Sequence, residues 1–176
     1  NGNTFTPISS LSDAIRKQTI VINGVSKTYA MTGWRVGFAV GEPEIISGMA
    51  KIISQTTSNL TSVSQYAAIE ALTGDQSSIE EMRKAFEERL NTIYPLLAEV
   101  PGFEVIKPQG AFYLFPNVKK AMEIKGYTDV NDFTNAILEE AEVALVTGAG
   151  FGAPENIRLS YATDLDILKE AVRRIK

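Results

Sequence analysis

Neither cysteine nor histidine occurs anywhere in these 176 residues. Without cysteine there is no disulfide framework and no thiolate metal site. Without histidine the commonest general base and the commonest zinc ligand are missing, so Ser-His-Asp and Cys-His catalysis are excluded within this chain. Positive charge is scarce as well: 17 Lys and Arg stand against 21 Asp and Glu, a formal net charge of −4 with no basic run. That argues against nucleic acid as a partner. No apolar stretch reaches the roughly 20 residues that span a bilayer, and Asn1-Gly2-Asn3 is no signal peptide. A cytoplasmic protein with no membrane partner is the expectation. What remains is a globular composition, 44% hydrophobic and 22% charged, with length for one or two small cores.

The most specific stretch is Gly24-Val25-Ser26-Lys27-Thr28-Tyr29-Ala30-Met31-Thr32-Gly33-Trp34-Arg35-Val36-Gly37. Before it, Thr19-Ile20-Val21-Ile22 is a mostly apolar, β-branched run that predicts a buried strand, and Asn23-Gly24 is a turn signal. After it, the run from Val36 to Gly41 predicts a second strand. Lys27 is therefore expected on a loop beside strand ends, where α/β enzymes place their ligands. A desolvated amine can form an imine with a carbonyl cofactor. A guanidinium nearby, here Arg35, can clamp an anionic group bidentately.

The segment resembles the pyridoxal-phosphate attachment site of the class-I/II aminotransferases, the fold-type I group that includes aspartate aminotransferase. The likeness runs through the small residues before Lys27, the apolar Met31, Gly33 and Arg35-Val36-Gly37. It implies an α/β fold and the cofactor pyridoxal 5'-phosphate (PLP). It implies that Lys27 binds the cofactor aldehyde and later moves the proton of the substrate carbon, and that Arg35 holds the cofactor phosphate. Many members carry a hydroxyl residue three positions before the lysine, where this chain has Gly24. Ser26, or backbone N–H groups, would take over that phosphate contact.

The resemblance also bears on extent. Members place an aspartate for the pyridine nitrogen, and a tyrosine near the ring oxygen, some thirty residues before the lysine, and the 26 residues here supply no such pair. The chain is accordingly expected to be the C-terminal half of an enzyme about twice as long, inactive by itself. The expected division is residues 1–77 for the C-terminal part of a large PLP-binding domain, 78–100 for an inter-domain helix, and 101–176 for a small C-terminal α+β domain. The full-length protein is expected to be a homodimer.

Periodicity supplies the elements. Ile8, Leu11 and Ile15 predict a short helix over residues 8–16, and Glu42-Pro43-Glu44 is a helix start leading into Ile45, Met49, Ile52 and Ile53. Residues 54–64, seven of them Ser or Thr, read as a polar stretch before a helical segment from Tyr66 to Leu72. From Ser78 to Glu99 apolar residues recur at three and four, the longest helix, and Pro101-Gly102 stops it. Beyond it the order is strand 103–106, strand 111–115, helix 130–141, strand 143–147, strand 157–162 and helix 165–175, an α+β pattern.

Asn156-Ile157-Arg158-Leu159-Ser160-Tyr161-Ala162 is the second strong element. An arginine between apolar strand residues is costly to bury without an anion. In the aminotransferase context this arginine would pair with the substrate α-carboxylate through its planar fork; the alternative is an ion pair across the small sheet. Gly110-Ala111-Phe112-Tyr113 is similar to the strand whose aromatics wall the substrate pocket, though plain core packing explains the same alternation. Asn59 and Thr61 lie where dimeric members approach the partner's cofactor, or else in a plain polar loop. Gly148-Ala149-Gly150-Phe151-Gly152 lacks the lysine and helix of a phosphate loop, so a loop over the substrate mouth is the better reading. Together these imply amino transfer from an aspartate-like or aromatic α-amino acid to a 2-oxo acid such as 2-oxoglutarate. A PLP-dependent C–S or β-lyase, and the aminotransferase-like domain of a transcription regulator, are the alternatives.

Overall fold

A computed structural model describes residues 2–176 and divides them into two compact units, Gly2–Glu81 and Met82–Lys176. The division falls inside one helix, α4, so each unit is described by itself. Among the described residues no helix is long and apolar enough to cross a membrane.

In the first unit a 3₁₀ turn, Ile8–Ser10, precedes helix α1, Asp13–Lys17. The single helix expected over residues 8–16 is split because the Ser12 hydroxyl accepts from Ile15 N–H and restarts the helix. Strands β1, Val21–Gly24, and β2, Gly37–Val40, pair antiparallel, with Val21 opposite Val40 and Gly24 opposite Gly37. The expected burial of β1 is corrected here. Ile22 is 70% exposed and Val40 57%, because a two-stranded ribbon offers no second layer to cover either face. Helix α2, Pro43–Thr56, starts at Pro43 as the sequence predicts, and α3 spans Ser62–Thr73. Both helices reach into the Ser/Thr-rich stretch, leaving only residues 57–61 as the connection. Thr56 and Thr73 return their hydroxyls to carbonyls one turn back, which is how such residues are tolerated inside helices.

Helix α4, Ser77–Ala98, continues through Pro95 and buries Leu90, Ile93 and Leu97. In the second unit these meet Leu114, Val118, Met122, Phe133, Ile157, Leu159, Tyr161, Leu168 and Val172 in one continuous core. Strands β3, Tyr113–Leu114, β4, Val146–Thr147, and β5, Ile157–Ser160, form an antiparallel sheet in the order β3-β5-β4. Helices α5, Lys119–Lys125, α6, Val130–Ala141, and α7, Leu165–Ile175, complete the unit.

The strand expected over 103–106 is reduced to one bridge, Glu104 to Asn117. Pro116, beside Asn117 on the partner segment, has no N–H to extend the ladder toward Val105. Helix α5 has no counterpart among the elements expected from the sequence, although Val118, Ala121 and Met122 bury one face at helical spacing. The Tyr161 hydroxyl, whose pKa burial pushes up, donates to the Ala111 carbonyl at 3.0 Å and ties the end of β5 to the chain before β3.

The contrast between the two units is testable. Ile93→Ala should cost about 2–5 kcal/mol in urea denaturation of the 176-residue chain, whereas Ile22→Ala should change it by less than about 0.5 kcal/mol. The opposite ranking would contradict this placement of the core.

Candidate functional site

Between β1 and β2 the chain makes a compact excursion whose two ends are pinned in a small apolar cluster. Val25 is fully buried and Val36 nearly so, packed with Ala68 and flanked by Tyr29 and Met31. Val25 N–H donates to the Val36 carbonyl at 3.3 Å, closing the neck of the excursion. Tyr29 N–H returns to the Val25 carbonyl, Ala30 N–H to that of Lys27, and the Tyr29 hydroxyl contacts Gln76 Oε1 at 3.2 Å. A 3₁₀ turn, Thr32–Trp34, delivers the chain to Arg35. Arg35 adopts left-handed backbone angles, φ 55° and ψ 45°, and its Nη1 donates to the Thr32 carbonyl at 3.0 Å. Non-glycine residues hold that conformation at some cost, and such positions concentrate at functional sites.

Burying the two valines turns their neighbours outward. Ser26, Lys27 and Arg35 line one cavity of about 390 Å³, together with Asn23, Gly24 and Gly37. Lys27 and Arg35 are exposed and Ser26 half-buried. Among the described residues the Ser26 hydroxyl has no hydrogen-bond partner. The cavity thus gathers an amine, a guanidinium, a hydroxyl and strand-end backbone, a donor set for a ligand that carries both a carbonyl and an anion. Gly24 has a steric reason. A Cβ there would lie 2.8 Å from the Val36 carbonyl oxygen, so a side chain enters only if the neck shifts.

A larger cavity of about 580 Å³ lies between residues 142–145 and α7 in the second unit. Its cation is already committed: Arg174 pairs with Glu142 at 2.6 Å and with Glu170 at 2.9 Å. Arg173 and Arg174 hold the Glu170 carboxyl down at about 2. That closed ion-pair network leaves little for a ligand.

Arg158 belongs to the second unit. Along β5, Ile157 and Leu159 are buried in the core while Arg158 and Ser160 take the other face, as the two-residue period of a strand requires. The Arg158 Cζ lies over the Tyr113 ring at 4.4 Å and over the Phe151 ring at 4.6 Å. Among the described residues it has no carboxylate partner. The cross-sheet ion pair weighed from the sequence is therefore absent.

The aromatic run divides by the same alternation. Phe112 packs against the core, stacked on Phe86 at 5.6 Å, while Tyr113 underlies Arg158. The glycine-rich segment is a hydrogen-bonded turn rather than a phosphate cradle. Gly148 N–H donates to Asn156, Phe151 and Ala153 N–H both donate to the Gly148 carbonyl, and Gly152 N–H donates to Ala149. Asn59 and Thr61 sit exposed in the connection between α2 and α3.

Comparison with known proteins agrees with this architecture. The family model described as "Aminotransferase class I and II" matches residues 2–175. The asparagine–oxo-acid transaminase of Streptococcus mutans is 75% identical over 176 residues, all of this chain and 45% of that protein. The aspartate aminotransferase of Bacillus subtilis is 56% identical over 175 residues, 99% of this chain and 44% of that protein. Among solved structures, the aspartate aminotransferase of Rhizobium meliloti superposes with a TM-score of 0.90 at 37% identity, covering 99% of this chain and 45% of that one. The aromatic aminotransferase of Pyrococcus horikoshii OT3 does so with a TM-score of 0.90 at 36% identity, covering 99% and 46%. The chain thus spans about 45% of the length of these relatives and shares their mixed α/β fold over it.

Gly24→Ser would add a hydroxyl to the cavity at the expense of the neck. It should destabilise the protein by about 1–3 kcal/mol in urea denaturation; a neutral result would show that β1 and β2 approach less closely than this.

Proposed function

Because the chain belongs to the class I and II aminotransferases, a PLP-dependent family, we propose that within a longer protein it serves transfer of an amino group from an α-amino acid to a 2-oxo acid. The observation that carries this reading is the single cavity shared by Lys27, Ser26 and Arg35. Its donor set fits pyridoxal 5'-phosphate: Lys27 for the aldehyde, Arg35 for the phosphate, and Ser26 as the hydroxyl that Gly24 cannot carry. When bound, the cofactor supplies a carbonyl carbon for covalent attachment and an electron-withdrawing ring for the charge that develops at the substrate Cα.

The roles of the chain's own residues follow from their chemistry. Lys27 Nζ is the attachment point, and once displaced by the amino substrate it is the base that takes the proton from Cα. Arg35 pairs with the phosphate through two N–H groups, which a lysine's point charge would not match. Ser26 donates its unspent hydroxyl proton to the same group. Arg158 holds the substrate α-carboxylate, which orients the Cα–H bond for removal.

Aspartate or asparagine is the proposed donor, supported by the names of the Streptococcus mutans and Bacillus subtilis relatives; an aromatic donor is the second choice, after the Pyrococcus horikoshii structure. No feature of the structure, and neither of those sequence relatives, favours a lyase or a regulator. We also propose that residues 1–77 belong to the large cofactor-binding domain and 101–176 to the small one, joined by the helix over 78–100. The full-length enzyme would be a cytoplasmic homodimer, a state to which the exposed Val63, Tyr66 and Ile69 of α3 lend support.

In the full-length enzyme Lys27→Ala should abolish turnover. Arg35→Ala should instead weaken cofactor retention, by at most roughly 3 kcal/mol for a charge-assisted contact, read from cofactor titration of the apoenzyme. Unchanged retention in Arg35→Ala would remove Arg35 from the phosphate site.

A further inference from the structure

The glycine-rich turn and the arginine opposite it have a common purpose. Arg158 lies on the outer face of β5, half-buried, with Val146 of β4 beside it and Tyr113 on β3. Phe151 ends the 3₁₀ turn Ala149–Phe151 that follows β4, and its ring lies against the Arg158 guanidinium although Phe151 is 54% exposed. An exposed phenylalanine kept in that position needs support, and two features supply it. The Phe115 ring meets it edge-to-face at 6.1 Å. The turn behind it admits no side chain at Gly148, where a Cβ would come within 2.3 Å of the Ala153 carbonyl oxygen.

Aromatic support differs from ionic support in one respect that matters here. A carboxylate beside Arg158 would consume its N–H donors and neutralise its charge. A ring attracts the cation through its π face and leaves the N–H donors unspent. Such a guanidinium is fixed in place yet retains its full capacity for an incoming planar anion.

Resting on the proposed role of Arg158, we infer that Phe151 is a positioning residue for substrate: with Phe115 behind it, it holds the Arg158 guanidinium in readiness for the α-carboxylate. The glycine-rich turn exists to present that ring.

The test uses the full-length holoenzyme with Phe151→Leu, Phe151→Tyr and Arg158→Lys. Two quantities are read: the affinity for succinate, a carboxylate without an amino group, by calorimetry, and KM and kcat for the amino-acid substrate. Phe151→Leu should weaken succinate binding and raise KM about tenfold, the size of a partly desolvated cation–π contact, with kcat changed less than about twofold. Phe151→Tyr keeps the ring and should restore both to within about twofold of the parent. Phe115→Leu should shift succinate affinity in the same direction by less. Unchanged succinate affinity in Phe151→Leu, with affinity lost in Arg158→Lys, would overturn the inference alone. Unchanged affinity in Arg158→Lys would overturn the carboxylate role of Arg158 and the inference with it. A fall in kcat with unaltered KM in Phe151→Leu would also overturn it.

Discussion

Everything about the first unit's cavity depends on the closure between Val25 and Val36. The two side chains share one small apolar cluster, and the N–H of one donates to the carbonyl of the other. That neck decides which residues are hidden and which are presented. Lys27 lies two residues beyond one valine and Arg35 immediately before the other, so burying the pair places the amine and the guanidinium at the rim of one cavity. The same closeness means that a side chain at Gly24 would have to push the Val36 carbonyl away. The loop that carries Lys27 and Arg35 is thereby anchored at its two ends by apolar packing and a backbone hydrogen bond.

The second unit uses a different device for the same end. Strand alternation sends Ile157 and Leu159 into the core and Arg158 to the other face, where rings rather than carboxylates support it. In the second unit the result is a cation held without being neutralised. The closed Arg174, Glu142 and Glu170 network in the larger cavity shows the contrary case, in which charges satisfy one another.

Long amphipathic helices were the most legible parts of the sequence. The periodic segments at α4, α6 and α7 came within a residue or so of their observed ends, since a repeated apolar stripe and a clear stop leave few alternatives. Short elements were not legible. Helix α5 has barely two turns of pattern, and the strands over 103–106, 111–115 and 143–147 shrank to a bridge or to pairs because ladder length depends on partners far along the chain. For the candidate site, the motif points to Lys27, Ser26 and Arg35, and the structure brings them to one cavity. Local pattern places Phe151 only in a loop, because its contact with Arg158 depends on tertiary placement that no local pattern encodes.

The central claim is that Lys27 is the residue to which pyridoxal 5'-phosphate is joined. The most direct measurement is borohydride reduction of the full-length holoenzyme, followed by proteolysis and mass mapping of the pyridoxyl-bearing peptide. The account predicts the label on Lys27, within the segment between Gly24 and Arg35. A label on any other lysine would contradict it.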